Sequence, residues 1–282
     1  MKNFILYILA IFILSCEDII EIDVDNAKPQ MVVEGRITTQ NKPVEVKLSL
    51  TANCYDDSEQ EIIDNAKVTI EDNLNNKVEL LYQGKGIYKT ATNYKGEINR
   101  TYTLSILYNN ENYRVVEKLS AIAKIDCLDI DYNMFDNDYL AVFVSSQDPI
   151  VEGNYYKWHT YINNRLMREN RVAEDKLVNG RYISKFEIYD DNSNREEEYE
   201  KLKFNDSIIV EQMSISKEAY QFFYERQIQD ASKGNIFSSP AANINGNIIK
   251  FNNKNEPIGK ALGCFYAADI DRDTIVIKKK IN

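Results

Sequence analysis

The chain has 282 residues and a formal net charge of −10, and 44% of its residues are hydrophobic and 11% aromatic. This apolar content supports one or two folded domains and excludes an intrinsically disordered chain. We also do not expect nucleic-acid binding, because the chain is acidic and has no cluster of lysine and arginine to neutralise phosphate.

The first sixteen residues have the layout of a bacterial lipoprotein signal. Lys2 precedes an apolar run of eleven residues (4–14), and Ser15 and Cys16 follow. As a helix the run would reach about 16 Å, roughly half of a bilayer core, so we expect a cleaved signal peptide (1–15) rather than a membrane span. The small Ser15 before the cysteine, and Ile13 three positions before it, predict diacylglycerol attachment at Cys16. An ordinary signal with a coincidental cysteine is the alternative.

An acidic tether (16–28) follows the cysteine. Its first acids, Glu17, Asp18 and Glu21, resemble the surface-export signal of Bacteroidota lipoproteins. This similarity implies an outer-membrane protein that faces the cell exterior. A solvated tether without a sorting role is the alternative.

Residues 29–122 predict a β-sandwich, because short segments with a period of two alternate with turn residues. One such segment holds Val46 and Leu48, and a hairpin is indicated where Asn109-Asn110 separates two alternating segments. The stretch Gly86-Ile87-Tyr88, together with residues 102–106 (YTLSI), resembles transthyretin-like, Ig-like sandwich modules, which usually serve as spacers or binding platforms.

Residues 123–282 predict a second β-rich domain that carries one amphipathic helix at about 217–231. Ser216 is placed to cap this helix. Side chains three and four residues apart lie on one face of a helix, and we expect this face to pack against a sheet. The side chains on the face are Tyr220, Phe223, Tyr224, Gln227 and Ile228.

The three cysteines other than Cys16 are far apart in the sequence. Cys54, Cys127 and Cys264 include no CxxC pair, and the chain has one histidine, so a Cys/His zinc site is not expected. Either one disulfide or buried free thiols would suit an exported protein, and both alternatives stay open.

A search for catalytic motifs predicts no enzyme, no cofactor and no metal site. His159 shares a strand face with Lys157 and Tyr161, where a structural role is the expected one. Asp269, Asp271 and Asp273 have the spacing of the first ligands in a calcium-binding loop, but the later positions do not match the EF-hand pattern. We therefore expect the three acids to share a solvated strand face.

Aromatic residues in one predicted strand are the remaining candidates for ligand binding. Tyr155, Tyr156 and Trp158 could form a stacking platform for a sugar or a peptide. Since Tyr156 and Trp158 alternate onto one face, core packing is the favoured interpretation for these two side chains.

Several phrases, in order along the whole chain, resemble the DUF4249 family of Bacteroidota lipoproteins. They are residues 16–20 (CEDII), 32–35 (VVEG), 148–149 (DP), 154–158 (NYYKW), 214–220 (SISKEAY), 235–241 (NIFSSPA), 245–248 (NGNI) and 261–265 (ALGCF). Cys264 stands where the family pattern leads us to expect an aromatic residue. The resemblance implies an outer-membrane lipoprotein encoded beside a TonB-dependent receptor, and it implies no known activity or catalytic residue.

These observations predict a surface-exposed outer-membrane lipoprotein that is not an enzyme. We expect it to act as an accessory or solute-binding partner of a TonB-dependent transporter. A structural or adhesive surface protein is the alternative, and a hydrolase is the third.

Overall fold

The computed structural model describes residues 29–51, 61–133, 138–167, 171–191, 201–232 and 244–278. Strands dominate these residues, which contain one helix, so the predicted mostly-β fold class is confirmed. None of the described helical residues forms a segment long and apolar enough to span a bilayer.

Seven strands occupy residues 31–118. They are β1 (Met31–Thr38), β2 (Glu45–Leu50), β3 (Lys67–Asp72), β4 (Lys77–Tyr82), β5 (Ile87–Thr90), β6 (Thr101–Tyr108) and β7 (Glu111–Lys118). The predicted hairpin joins β6 to β7, where Asn109 and Asn110 both have positive φ, at 48° and 61°. Asparagine tolerates this left-handed conformation, and two such residues in succession suit a tight hairpin turn.

The remaining strands lie in residues 127–276. They are β8 (Cys127–Tyr132), β9 (Leu140–Gln147), β10 (Tyr155–Ile162), β11 (Arg165–Leu166), β12 (Arg171–Glu174), β13 (Tyr182–Asp190), β14 (Ser207–Ile215), β15 (Ile249–Phe251), β16 (Pro257–Lys260), β17 (Leu262–Ala268) and β18 (Ile270–Val276).

A ten-stranded sheet contains all seven strands of the first region and three strands from the second. Its order is β16-β15-β7-β6-β3-β4-β5-β2-β1-β17, and β17 pairs with β1 in parallel. Alternating side chains of this sheet, such as Val46, Leu48 and Leu104, enclose one hydrophobic core, which Ile248 and Phe265 from the later segment complete. Residues 249–268 therefore belong structurally with residues 29–122.

Two further sheets form the second sandwich. One has the order β11-β10-β14-β18, with β12 also paired to β10, and the other has the order β13-β9-β8. Val142, Val144 and Ile188 of the smaller sheet pack against Trp158 and Val210 of the larger sheet. The other face of the larger sheet packs against the helix and β17, so it is covered on both sides.

Helix α1 spans Lys217–Ser232, close to the predicted 217–231. Ser216 caps it, since its Oγ accepts a hydrogen bond of 3.1 Å from the backbone N–H of Ala219. The buried face centres on Ala219 and Phe223, whereas Tyr224 and Ile228 are 43% and 49% exposed. The predicted apolar face was therefore wrong for these last two residues, whose side chains lie outside the cluster that Ala219 and Phe223 form with β12 and β17.

Candidate functional site: an apolar pocket in the second sandwich

The residues predicted to direct lipid attachment and export lie outside the described residues. These are Cys16, Glu17, Asp18 and Glu21, and Cys54 also falls there. Among the described cysteines, Cys127 is exposed, Cys264 is buried, and both are free thiols. Burial raises the pKa of Cys264 well above its usual value, so its thiol is protonated.

Strand β10 separates the three predicted aromatic candidates. Tyr156 and Trp158 are 3% and 5% exposed and lie in the core between the two sheets, as their alternation predicted. Tyr155 points to the opposite face, where its ring lies 5.1 Å from that of Tyr220 on α1. The three rings therefore do not form one platform.

Tyr156 and Trp158 also line a pocket of about 470 Å³ between the sheets. The other lining residues are Val144, Ser146, Ala173, Glu174, Lys176, Leu177, Val178, Ile183 and Phe186. A cavity of this volume is in the range of small-molecule sites, which are mostly apolar and have a few polar groups. Lys176 and Leu177 are exposed, so the pocket opens to solvent at the loop that follows β12.

A β-bulge in β13 shapes one wall of the pocket. The register of β13 against β9 shifts between Ile183 and Phe186, and Lys185 has a positive φ of 51°. In a regular strand Ile183 and Phe186 would face opposite sides of the sheet. The extra residue of the bulge lets both of them line the pocket. Sequence reasoning missed this wall, because residues 182–190 contain no glycine or asparagine to signal the bulge.

Hydrogen bonds hold the aromatic wall in place. The rings of Tyr156 and Trp158 are stacked with centroids 5.7 Å apart, and Phe186 lies 5.0 Å from Trp158. Trp158 Nε1 donates to Gln212 Oε1 at 2.8 Å, and the Tyr156 hydroxyl donates to Asp148 Oδ1. Burial, and then the Asp148 carboxylate, raise the pKa of Tyr156, so this hydroxyl remains a donor.

Two buried carboxylates brace the loops at the pocket opening. Asp175 accepts hydrogen bonds from the backbone N–H groups of Gly153 and Asn154, each at 3.0 Å. Asp148 Oδ2 accepts from the backbone N–H of Gly180 at 2.9 Å. Each acid thus ties its own loop to the other loop, which orders the loops of residues 148–154 and 175–181.

The opposite face of β10 carries a buried cluster of ionisable side chains. Arg36 of β1 lies with its Nη1 3.2 Å from Nδ1 of His159, and Nζ of Lys157 lies 2.5 Å from the other ring nitrogen. Glu211 Oε2 also lies 3.8 Å from Nδ1, so three ionisable side chains surround the imidazole ring. Burial, and then the charge of Arg36, lower the pKa of Lys157 well below its usual value.

Glu211 completes this cluster and links three elements. It accepts from Gln40 Nε2 at 3.2 Å and from the Tyr161 hydroxyl at 3.1 Å. Desolvation by burial would raise its pKa, but hydrogen bonds and the charge of Arg36 lower it to about 2. The cluster joins β1 to β10 and β14, so His159 occupies the junction between the two sandwiches.

The three acids near the C-terminus do not share a solvated face, contrary to the expectation. Asp269 is buried and accepts from Thr39 Oγ1 and from the backbone N–H of Ile122. Asp271 accepts from the backbone N–H of Ile125, and Asp273 is exposed. The first two acids bind the segment that connects the sandwiches. Within the described ranges, no group of His, Cys, Asp or Glu is arranged to hold a metal.

Comparison with known proteins identifies the family. No curated protein matches the sequence. A two-domain fibronectin type III segment of chicken tenascin is among the similar solved structures, at 12% identity over 67% of this chain and 91% of that chain, with a TM-score of 0.19. The family model described as "Domain of unknown function (DUF4249)" matches residues 17–274. The chain therefore belongs to the DUF4249 family.

Proposed function

We propose that this protein is a lipid-anchored, non-catalytic binding protein of the outer membrane. It captures a solute in the pocket beside Trp158 and delivers it to a TonB-dependent transporter. The observation that carries the proposal is the pocket itself: about 470 Å³ of space between two sheets, lined mainly by apolar side chains and opening at braced loops.

The organisation of the pocket favours binding over catalysis. The polar atoms of Tyr156 and Trp158 are engaged with Asp148 and Gln212, so they fix the wall and do not face a reacting group. The histidine lies on the other face of β10, bound to Arg36. A rigid apolar cavity loses little entropy when a ligand enters, which suits capture and release.

The location rests on the sequence of the first 28 residues. The apolar run and Cys16 are typical of a lipoprotein signal, and the acids after Cys16 resemble an export signal to the cell exterior. Two or three acyl chains give a stable anchor, since each buried CH₂ contributes about 0.8 kcal/mol.

The anchor is tested by mass spectrometry of the N-terminal peptide. We expect an acylated Cys16 at the mature N-terminus, and we expect Cys16→Ser either to release a folded protein to the periplasm or to leave an uncleaved precursor. Alanine at Glu17, Asp18 and Glu21 should keep the lipid but lose exposure to added protease. An unmodified Cys16 would contradict the proposed location.

The binding role is tested with a variant that fills the pocket. Ala173 lines the pocket, so Ala173→Phe should abolish growth on the transported nutrient in a deletion strain, while wild-type protein restores it. Ala91→Phe is the control, because Ala91 is exposed in the first sandwich and the same side chain is added.

Purification supplies the second readout of this role. Both variants should still purify with the transporter, because the pocket and not the partner surface is changed. Growth equal to wild type with Ala173→Phe would refute a role for the pocket. Loss of attachment without any nutrient defect in the deletion strain would favour the structural alternative.

A further inference from the structure

The walls of the pocket offer few polar partners to a ligand. The Trp158 N–H and the Tyr156 hydroxyl point to Gln212 and Asp148 inside the protein. A sugar buried here would leave most of its hydroxyls without hydrogen bonds, which carries a large free-energy penalty for each group. The wall composition therefore favours a ligand with an apolar body.

The charged residues of the lining are Glu174, the last residue of β12, and Lys176 in the loop that follows. Glu174 shares a strand face with Val172, which packs against α1, while the intervening Ala173 faces the pocket. Burial first, and then the charge of Glu174, raise the pKa of Tyr155 and of Tyr220 on that helix side. Lys176, exposed at the opening, is thus the charge placed to meet a ligand.

Apolar side chains continue outward from the opening. Leu177 is 86% exposed, and Ile150 and Val151 on the neighbouring loop are 84% and 74% exposed. The loops are joined, since Asn179 Nδ2 donates to the carbonyl of Ile150 at 3.1 Å. Exposed aliphatic side chains on these ordered loops are suited to contact an apolar ligand as it enters or leaves the pocket.

We propose that the ligand is an amphipathic monocarboxylate, whose apolar body lies between Trp158, Phe186 and Ala173 and whose carboxylate meets Lys176 at the opening. This inference rests on the proposed binding function and names its ligand class. A body of this kind gains free energy by leaving water, while the acid stays at the solvent boundary and keeps most of its hydration.

The test uses the full chain with Cys16→Ser, so that no acyl chain of its own competes for the pocket. Trp158 is the one tryptophan of the chain, so intrinsic tryptophan fluorescence reports on the pocket directly. Dodecanoate, dodecyltrimethylammonium and maltohexaose are titrated separately, the first two below their micelle concentrations. We expect a saturable change with dodecanoate, weaker binding of the ammonium and none of the sugar.

Variants then separate the two parts of the ligand. Lys176→Gln should weaken dodecanoate binding roughly two- to fivefold, as for an exposed ion pair, and Lys176→Glu should weaken it further. Lys118→Gln, which removes an exposed charge from β7, should leave the affinity unchanged. Ala173→Phe should abolish the fluorescence change.

Three results would overturn the inference. Tighter binding of the ammonium, or full affinity in Lys176→Gln, would refute the carboxylate at Lys176. Saturable binding of maltohexaose that Ala173→Phe abolishes would refute the apolar body and leave the proposed binding function standing. Absence of any dodecanoate response would refute the ligand class, whereas the proposed binding role of the pocket is refuted separately, by normal growth with the pocket-filled protein.

Discussion

Glu117 is a buried acid at a point where three parts of the chain meet. It is 2% exposed, and its Oε1 accepts from Ser216 Oγ at 3.1 Å and from Asn247 Nδ2 at 2.9 Å. Its Oε2 is buried and has no hydrogen-bond partner among the described residues. Burial raises its pKa to about 7, so the folded protein holds a proton that the unfolded chain releases near pH 4.5.

The consequence is a loss of stability as the pH rises. Protonated Glu117 contributes fully to the stability of the fold below pH 4.5, and this contribution is lost as the pH rises past 7. The loss between pH 5 and pH 8 is about 2 kcal/mol. Glu117→Gln imitates the protonated acid at every pH. The difference in free energy of unfolding between this variant and wild type should therefore be about 2 kcal/mol larger at pH 8 than at pH 5. Urea unfolding at both pH values measures the difference, and parallel profiles would contradict the assignment.

His159 has the opposite dependence on pH. Burial, together with Lys157 and Arg36, lowers its pKa to about 4, so the unfolded chain binds a proton at about pH 6.5 before the folded protein does. Stability from neutral His159 is complete above pH 6.5 and is lost as the pH falls toward 4. The free energy of unfolding of wild type should decline as the pH falls from 7 to 5, and we expect His159→Gln to make this decline roughly 2 kcal/mol smaller. An unchanged decline in urea unfolding would mean that His159 does not titrate in this range.

At the level of elements, strand β17 depends on a glycine beside β1. Gly263 pairs with Val33 in the parallel ladder and has a φ of 83°. A Cβ at this position would lie 2.1 Å from the carbonyl oxygen of Val33, which is backbone and cannot move aside. The glycine therefore permits both the positive φ and the close approach of the strands.

Gly263→Ala should destabilise the protein by about 3 kcal/mol or more, because the backbone strain and the collision add. Gly259→Ala is the matched control, since Gly259 lies in β16, its φ is not positive, and nothing lies within 4 Å of an added Cβ. This control should change the free energy of unfolding by no more than about 0.5 kcal/mol. Equal thermal unfolding of the two variants would rule out the proposed constraint at Gly263.

At the level of the whole molecule, the two sandwiches are not independent segments of sequence. The chain leaves the first sheet after β7, builds the second sandwich, and returns with residues 249–268 to add strands at both edges of the first sheet. Ile248, Ala261 and Phe265 belong to the first core. The cluster of Arg36, His159 and Glu211 then joins the two bodies.

A fragment of residues 29–122 should therefore fail to fold cooperatively. Without residues 249–268, strands β1 and β7 would be exposed edges, and apolar side chains of the first core would lose their cover. Circular dichroism and limited proteolysis of the fragment, with the full chain for comparison, test this. A cooperative thermal transition of the fragment would show that the returning strands are dispensable.

Local patterns in the sequence were sufficient for several elements. The Asn109-Asn110 turn, the alternation of β6 and the start of α1 at Lys217 depend on neighbours within a few residues, so the sequence alone predicts them. The same holds for the side of β10 on which Tyr156 and Trp158 lie. These features follow from backbone preferences and from the periods of strand and helix.

The tertiary structure alone decided the pocket, the junction and the return of the chain to the first sheet. The pocket depends on a bulge at Lys185 and on facing sheets, and the charged cluster joins residue 36 to residues 159 and 211. The parallel pairing of β1 with β17 spans more than 200 residues. No local pattern encodes such contacts, because they depend on which surfaces remain uncovered once the strands have formed.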